Sequence, residues 1–302
     1  MDSNYTSSCA NCGKGEETSI TLKKCGACKM VKYCSLACQK AHRPQHKKEC
    51  KKHVAELHEE ALFKQPPPPE DCPICMLPLS HDSSHAAFES CCGKVICNAC
   101  ISSMVECLKG TNKKNGLPCP FCREPPVDTD AKENERIQKL VDAGNARAIV
   151  ELGGYYTLGL FDYPIDYEKA LELYLRAAEL GYAGGYYSLA VCYDKGRAVA
   201  KNEKTAKHYY ERAAIAGDVK ARHNLGSLEG RAGNIQRAYR HILISAKAGF
   251  KLSLDAVKEG FINGYVTKDD YATTLRAYQK LHDEMKSDER VKAKEGTWVR
   301  PK

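Results

Sequence analysis

No run in this sequence approaches the about 20 consecutive apolar residues that carry a helix across a bilayer, so no membrane-spanning helix is expected. The opening, MDSNYTSSCANCG, has no basic region followed by an apolar one and does not read as a secretion signal. Cysteine is nearly missing from the back of the chain. After Cys122 only Cys192 remains, which confines sulfur chemistry to the front and makes Cys192 a core residue. Tryptophan occurs once, as Trp298, an isolated exposed anchor at most in a polar tail. Cys107 has no base placed beside it, which argues against a cysteine nucleophile and for a small buried residue.

The front is the reverse case. Of seventeen cysteines in 302 residues, ten fall in five CxxC pairs: Cys9/Cys12, Cys25/Cys28, Cys72/Cys75, Cys97/Cys100 and Cys119/Cys122. Cys34 and Cys38 make a looser pair, followed by His46-x-x-x-Cys50. Two short loops with two thiolates each can close on one tetrahedral ion, and zinc accepts sulfur and nitrogen without a redox role. Clustered pairs with an interleaved histidine favour zinc over thioredoxin-like redox motifs. In a chain read as lacking a leader, so many cysteines point to a reducing compartment, cytoplasmic or nuclear. The expectation is about four zinc ions on sixteen ligands, with metal in place of a hydrophobic core.

The formal charge is +8, which on its face suits a nucleic-acid partner. That count treats every cysteine as neutral. Four sites of thiolates and dications carry about −7, which leaves a net near +1. Nucleic acid is therefore disfavoured, and Lys47, Lys48, Lys51 and Lys52 read as a solvated helix face.

Cys9, Cys12, Cys25, Cys28, Cys34, Cys38, His46 and Cys50 give eight ligands, enough for two ions. His46 and Cys50 are one helical turn apart and share a face. The stretch YCSLACQKAHRPQHKKEC, with the pairs before it, resembles a MYND zinc finger from Cys9 to Cys50. The resemblance implies an interleaved pairing, Cys9, Cys12, Cys34 and Cys38 on one ion and Cys25, Cys28, His46 and Cys50 on the other. It also implies a module that grips proline-rich segments. Gln39 keeps the family's CQ dipeptide, whereas Arg43 stands where many members carry Trp. His42, His53 and His58 match no ligand position and read as solvent-facing. Helical spacing of Val54, Leu57, Ala61 and Leu62 predicts a helix that ends near Phe63, closing a first domain at 1–63. Residues 64–70, with Pro66 to Pro69, read as a polyproline II spacer, or alternatively as a ligand for another protein.

Residues 71–127 carry DCPICMLPLS, SCCGKVICNAC and LPCPFCREPP. This resembles a RING finger. The resemblance implies Cys72, Cys75, Cys97 and Cys100 on one ion, and Cys119 and Cys122 on the second with ligands from the Cys91–Lys94 region. Lys94 stands where a histidine is usual, and a protonated lysine has no lone pair to give. Cys91 and Cys92, in a tight turn before Gly93, are the substitutes, with His81 or His85 as the fallback fourth ligand. RING fingers commonly act as ubiquitin ligases without a nucleophile of their own, by holding a ubiquitin-conjugating enzyme in reactive geometry. The matched contact positions are Ile74, Pro120 and Arg123, with Met104 or Leu108 completing an apolar patch. A guanidinium at Arg123 suits a linchpin role because its donors are fixed and its charge permanent. Each position also has a structural reading: Ile74 as packing, Pro120 as a stiff turn, Arg123 as a surface cation.

From 132 to 290 a repeat takes over. Leu152, Leu189, Leu225 and Val257 recur, as do Ala177–Ala178, Ala213–Ala214 and Ser245–Ala246, each pair followed by Gly181, Gly217 or Gly249. Such periods predict stacked antiparallel helix pairs with left-handed glycine caps. The stretch YEKALELYLRAAELGYAGGYYSLAVCY resembles a Sel-one-like repeat, with a fourth, degenerate unit through DDYATTLRAYQKLHDEM as a cap. Tyr155, Tyr156, Tyr186, Tyr187, Tyr209 and Tyr210 are candidates to line a concave binding face, but most tyrosines in such repeats serve packing, so none is assigned as a binding residue. A polar tail fills 291–302.

The fold expected is multidomain: two small α+β cross-brace zinc fingers, then an all-α helical-repeat solenoid. The function expected is a zinc-binding protein-interaction module. It is either a RING-type ubiquitin ligase whose MYND finger or repeats bind a target protein, or a non-enzymatic adaptor.

Overall fold

The computed structural model describes residues 8–15, 21–81, 85–107, 118–288, 290 and 291. Leu108, Trp298 and the tail beyond Val291 lie outside the described residues, as does the side chain of Cys107. The chain divides into two compact units, Met1–Lys64 and Gln65–Lys302. Among the described residues no helix is long and apolar enough to cross a membrane.

The first unit has almost no strand. β1 (Lys23–Lys24) and β2 (Lys32–Tyr33) form an antiparallel ladder that presents the Cys25–Cys28 turn at its tip. Ser35 then caps α1 (Leu36–Phe63), its side chain accepting from the Cys38 backbone N–H at 3.2 Å. Pro44 lies inside α1, where it removes one helical hydrogen bond. The helix continues past it, with ligand residues on both sides of the proline. The cluster buried around the ligands is sulfur and a few apolar side chains, Cys9, Leu22, Cys25, Cys28 and Tyr33, and Leu62 near the end of α1 is buried as well.

In the second unit, β3 (Ala86–Glu89) and β4 (Lys94–Cys97) form an antiparallel hairpin, and α2 (Asn98–Cys107) follows directly. Gly93 closes the hairpin turn at φ +69°, with its N–H on the Glu89 carbonyl at 2.8 Å. After α3 (Asp130–Asp142) the chain stacks as helix pairs: α4 (Ala146–Leu158) with α5 (Tyr167–Glu179), α6 (Ala183–Lys195) with α7 (Glu203–Ile215), α8 (Val219–Arg231) with α9 (Ile235–Lys247), and α10 (Lys251–Ile262) with α11 (Lys268–Glu284). Among the described residues there are eleven helices.

The recurring residues are buried, as the repeat pattern requires. Leu152, Leu189, Leu225 and Val257 face inward from successive first helices, and the alanine pairs pack under them. Cys192 is buried too. Gly181, Gly217 and Gly249 cap their helices at φ +77°, +100° and +93°. α6 comes so close to α5 that a Cβ at Gly185 would lie 2.7 Å from the Ala178 backbone nitrogen. The third repeat breaks the alanine pattern with Ser245. That buried hydroxyl donates to the Val219 carbonyl at 2.7 Å and accepts from Ser253 at 2.9 Å, so the substitution strands neither serine.

Several contacts join the second cysteine-rich segment to the repeats. Phe88 packs against the core formed by Ile137, Val141, Ala148 and Ile149. Buried Glu133 accepts from Ser90 at 2.6 Å and from the Tyr155 hydroxyl at 3.2 Å. The proline run is not a free spacer: Pro67 lies against Gly217, and Glu70 pairs with Arg147 at 2.8 Å.

Candidate metal centres

Four groups of four ligands converge, each with its ligand atoms within 4.8 Å of one another. They are Cys9, Cys12, Cys34, Cys38; Cys25, Cys28, His46, Cys50; Cys72, Cys75, Cys97, Cys100; and Cys91, Cys92, Cys119, Cys122. Both pairs of sites interleave along the chain, which is the cross-brace arrangement.

Tetrahedral zinc with Zn–S near 2.3 Å sets sulfur atoms about 3.8 Å apart. The observed separations bracket that value: 3.6 Å for Cys12–Cys34, 3.9 Å for Cys25–Cys50, 3.8 Å for Cys75–Cys97, 3.9 Å for Cys72–Cys100, 4.0 Å for Cys92–Cys119 and 3.4 Å for Cys91–Cys122. In the mixed site His46 Nε2 stands 3.2 Å from Cys28 Sγ. The donor sets and spacings fit zinc. Ion-free, the thiols of one site cannot all ionise together. A hydrogen bond from the Cys97 thiol draws Cys72 down to about 4 against the opposing effect of burial, while burial first, then the neighbouring thiolates, pushes Cys100 up to about 12. Cys34 is likewise raised to about 12 by its hydrogen bonds to Cys12, Cys38 and Cys9. A dication removes that conflict, because it holds all four as thiolates.

Four of the metal loops share one backbone device. The N–H of the residue after the second cysteine returns to the carbonyl of the first: Gly13 to Cys9 at 2.8 Å, Lys29 to Cys25 at 3.1 Å, Met76 to Cys72 at 2.9 Å, Arg123 to Cys119 at 3.0 Å. That residue is left-handed each time, at φ +73°, +60°, +56° and +65°. Only the first is glycine, so three side chains sit in a conformation costing about 1–2 kcal/mol. Sequence reading passed over this, because the glycine signal is present in one loop of the four.

Cys91 and Cys92 occupy the β3–β4 turn, and the Gly93 conformation aims both sulfurs at Cys119 and Cys122. Lys94 is outside the group, its ammonium 5.8 Å above the Phe121 ring. His81 stands elsewhere, near Lys220 and the Ala248 backbone, where burial and the lysine charge lower its pKa. Neither His81 nor His85 is in the group, so the fallback ligands are not drawn in.

His42 corrects an expectation. It is half-buried rather than solvent-facing. Its Nδ1 meets the Tyr33 hydroxyl at 3.0 Å, and its ring stacks on His46 with centroids 5.6 Å apart. The hydroxyl thereby holds a ring that lies against the face of the ligand imidazole. Gln39 is half-buried and Arg43 exposed on α1.

The proposed contact residues are also placed. Ile74 is 39% exposed and Arg123 is exposed, while Pro120 and Met104 are half-buried. Met76 and Phe121, which the sequence reading did not select, are exposed from the same metal loops. Of the six candidate tyrosines for a concave face, Tyr155, Tyr186 and Tyr210 are buried and take the packing role common to repeat tyrosines.

Residues 9–50 match the MYND finger family, and residues 146–182, 183–218 and 219–250 match the Sel1 repeat. The chain thus carries a MYND finger and Sel1 repeats. It is 46% identical over 48 residues to "SET domain and MYND-type zinc finger protein 6" of Schizosaccharomyces pombe, covering 16% of this chain and 9% of that protein. It is 35% identical over 100 residues to "Chitin synthase regulator SKT5" of Saccharomyces cerevisiae, covering 31% of this chain and 14% of that protein. A Sel1 repeat protein from Oxalobacter formigenes superimposes with TM-score 0.43 at 22% identity, over 51% of this chain and 63% of its own. The chain therefore spans well under a fifth of either curated relative.

Proposed function

We propose that this protein is a zinc-scaffolded interaction protein whose segment from Cys72 to Cys122 is a RING-type finger that recruits a ubiquitin-conjugating enzyme. The observation that carries the reading is the exposure of Ile74 and Arg123 on two metal loops of a segment with two full ligand sets. Such a finger needs no nucleophile. It accelerates transfer by restricting a flexible, thioester-linked ubiquitin to near-attack geometry, with Ile74 and Pro120 holding the enzyme and Arg123 bridging enzyme and ubiquitin. Target proteins would be held by the MYND finger or by the repeats, in a reducing compartment, cytoplasmic or nuclear, where the thiols stay available to zinc. With zinc loaded, the purified chain should build ubiquitin chains with at least one member of a conjugating-enzyme panel, and Ile74→Ala should abolish this. Silence across the panel would refute the reading.

A second reading, a non-enzymatic adaptor, is favoured by the packing of this segment against the repeats through Phe88 and Glu133. One relative of this chain is itself named a regulator of an enzyme. This reading predicts partner capture that is insensitive to Ile74→Ala and to Arg123→Gly.

A further inference from the structure

We propose that Arg290 is a zinc-linked latch: it compensates the charge of the Cys72, Cys75, Cys97, Cys100 site from outside the coordination sphere, so that metal and docked arginine stabilise one another.

Arg290 lies more than 200 residues from the loop it touches. One terminal nitrogen, Nη2, donates to Cys75 Sγ at 3.2 Å and to the Leu77 carbonyl at 3.1 Å. The other, Nη1, donates to the Pro78 carbonyl at 2.7 Å and to the Met285 carbonyl at 3.1 Å. The guanidinium thus bridges a ligand sulfur, the backbone just beyond its metal loop, and the end of the last repeat helix. A local turn aims it: the Arg290 N–H reaches Ser287 Oγ at 3.2 Å, and the Val291 N–H reaches the Ser287 carbonyl at 2.9 Å.

The chemistry of the site asks for such a group. Zinc with four thiolates carries about −2, and Cys72 and Cys97 are buried, so water screens that charge poorly. An N–H donated to a ligand sulfur spreads the negative charge without competing for the metal. Arginine suits the place better than lysine, because four acceptors in fixed directions match a planar fork. Outer-sphere partners of this kind are worth about 10–100-fold in metal affinity. The coupling is reciprocal: if the latch holds zinc, zinc holds the latch.

The test uses the full zinc-loaded chain. With a chelator present, alkylation by N-ethylmaleimide followed by peptide mapping reports each site separately. In Arg290→Ala, Cys72, Cys75, Cys97 and Cys100 should label about 10–100-fold faster than in the parent. The eleven ligand cysteines of the other three sites should keep their rates. Arg290→Lys should fall between. In the unmutated chain, trypsin should cut after Arg290 much more slowly with zinc than without, since the protease must take up the same guanidinium. Unchanged labelling in Arg290→Ala, acceleration shared by all four sites, or zinc-independent cleavage after Arg290 would each overturn the proposal.

Discussion

Replacing Arg123 by glycine separates what its side chain does from what its backbone does. At φ +65° the residue sits in the left-handed region, its N–H closing the loop on the Cys119 carbonyl at 3.0 Å. An L-residue loses about 1–2 kcal/mol there. Glycine removes that cost but adds about 0.5–1 kcal/mol of backbone entropy on folding. The difference favours glycine by about 0.5–1 kcal/mol, or about two- to fivefold in the zinc affinity of its site. The exposed guanidinium has no packing role to lose. Lys29→Gly provides a control, since Lys29 has the same loop geometry at φ +60° and lies outside the proposed enzyme contacts. Chelator competition should show both variants holding zinc as well as the parent or better. Ubiquitin transfer should survive in Lys29→Gly and fail in Arg123→Gly. If Arg123→Gly instead loses zinc affinity by fivefold or more, its side chain is structural, and the linchpin assignment loses its support.

Three further outcomes follow from the geometry. Cys91→Ser should lower the zinc content measured by native mass spectrometry by one ion per chain, because the turn offers two thiols that both serve; an unchanged count would mean another residue completes the site. Glu229 is buried, and the hydrogen bonds from Lys207, Asn234 and Arg237 outweigh burial and hold its carboxyl below the usual range. Its contribution is fully present above the unfolded value near 4.5 and disappears as pH falls through the depressed folded value. The helical melting midpoint of Glu229→Gln should therefore fall less steeply than the parent's below about pH 4.5. Tyr33→Phe removes the hydroxyl that holds His42 and should weaken the Cys25, Cys28, His46, Cys50 site by at most about 10-fold, one hydrogen bond being worth about 0.5–1.5 kcal/mol, read by chelator competition, with the neighbouring site unaffected.

Ligand spacing made the metal-holding loops legible, because tetrahedral zinc demands short loops with sulfur at fixed intervals, whereas the pairing of loops into sites came from the resemblance to MYND and RING fingers. The Cys91–Cys92 arrangement was legible for the same reason, since a glycine after two cysteines marks a turn tight enough to aim both. The repeats announced themselves through period. What stayed hidden has no local signature. Lys29, Met76 and Arg123 are left-handed without being glycine, so nothing in their identity marks the loop they close. His42 looks like any helix-surface histidine until Tyr33 is placed beside it. Tyr155, Tyr186 and Tyr210 each sit next to a half-buried tyrosine, Tyr156, Tyr187 or Tyr209, and only the stacking of neighbouring helices decides which of the two is buried. Contacts such as Ser90 with Glu133, or Arg290 with Cys75, pair residues whose separation carries no period at all.

Backbone hydrogen exchange with and without a strong chelator addresses the central claim that zinc stands in for a hydrophobic core in the front of the chain. Stripping the metal should collapse amide protection across Cys9–Cys50 and Cys72–Cys122 and leave α4 to α10 protected by their buried leucines and alanines. Front segments that stay protected with no metal bound would contradict it.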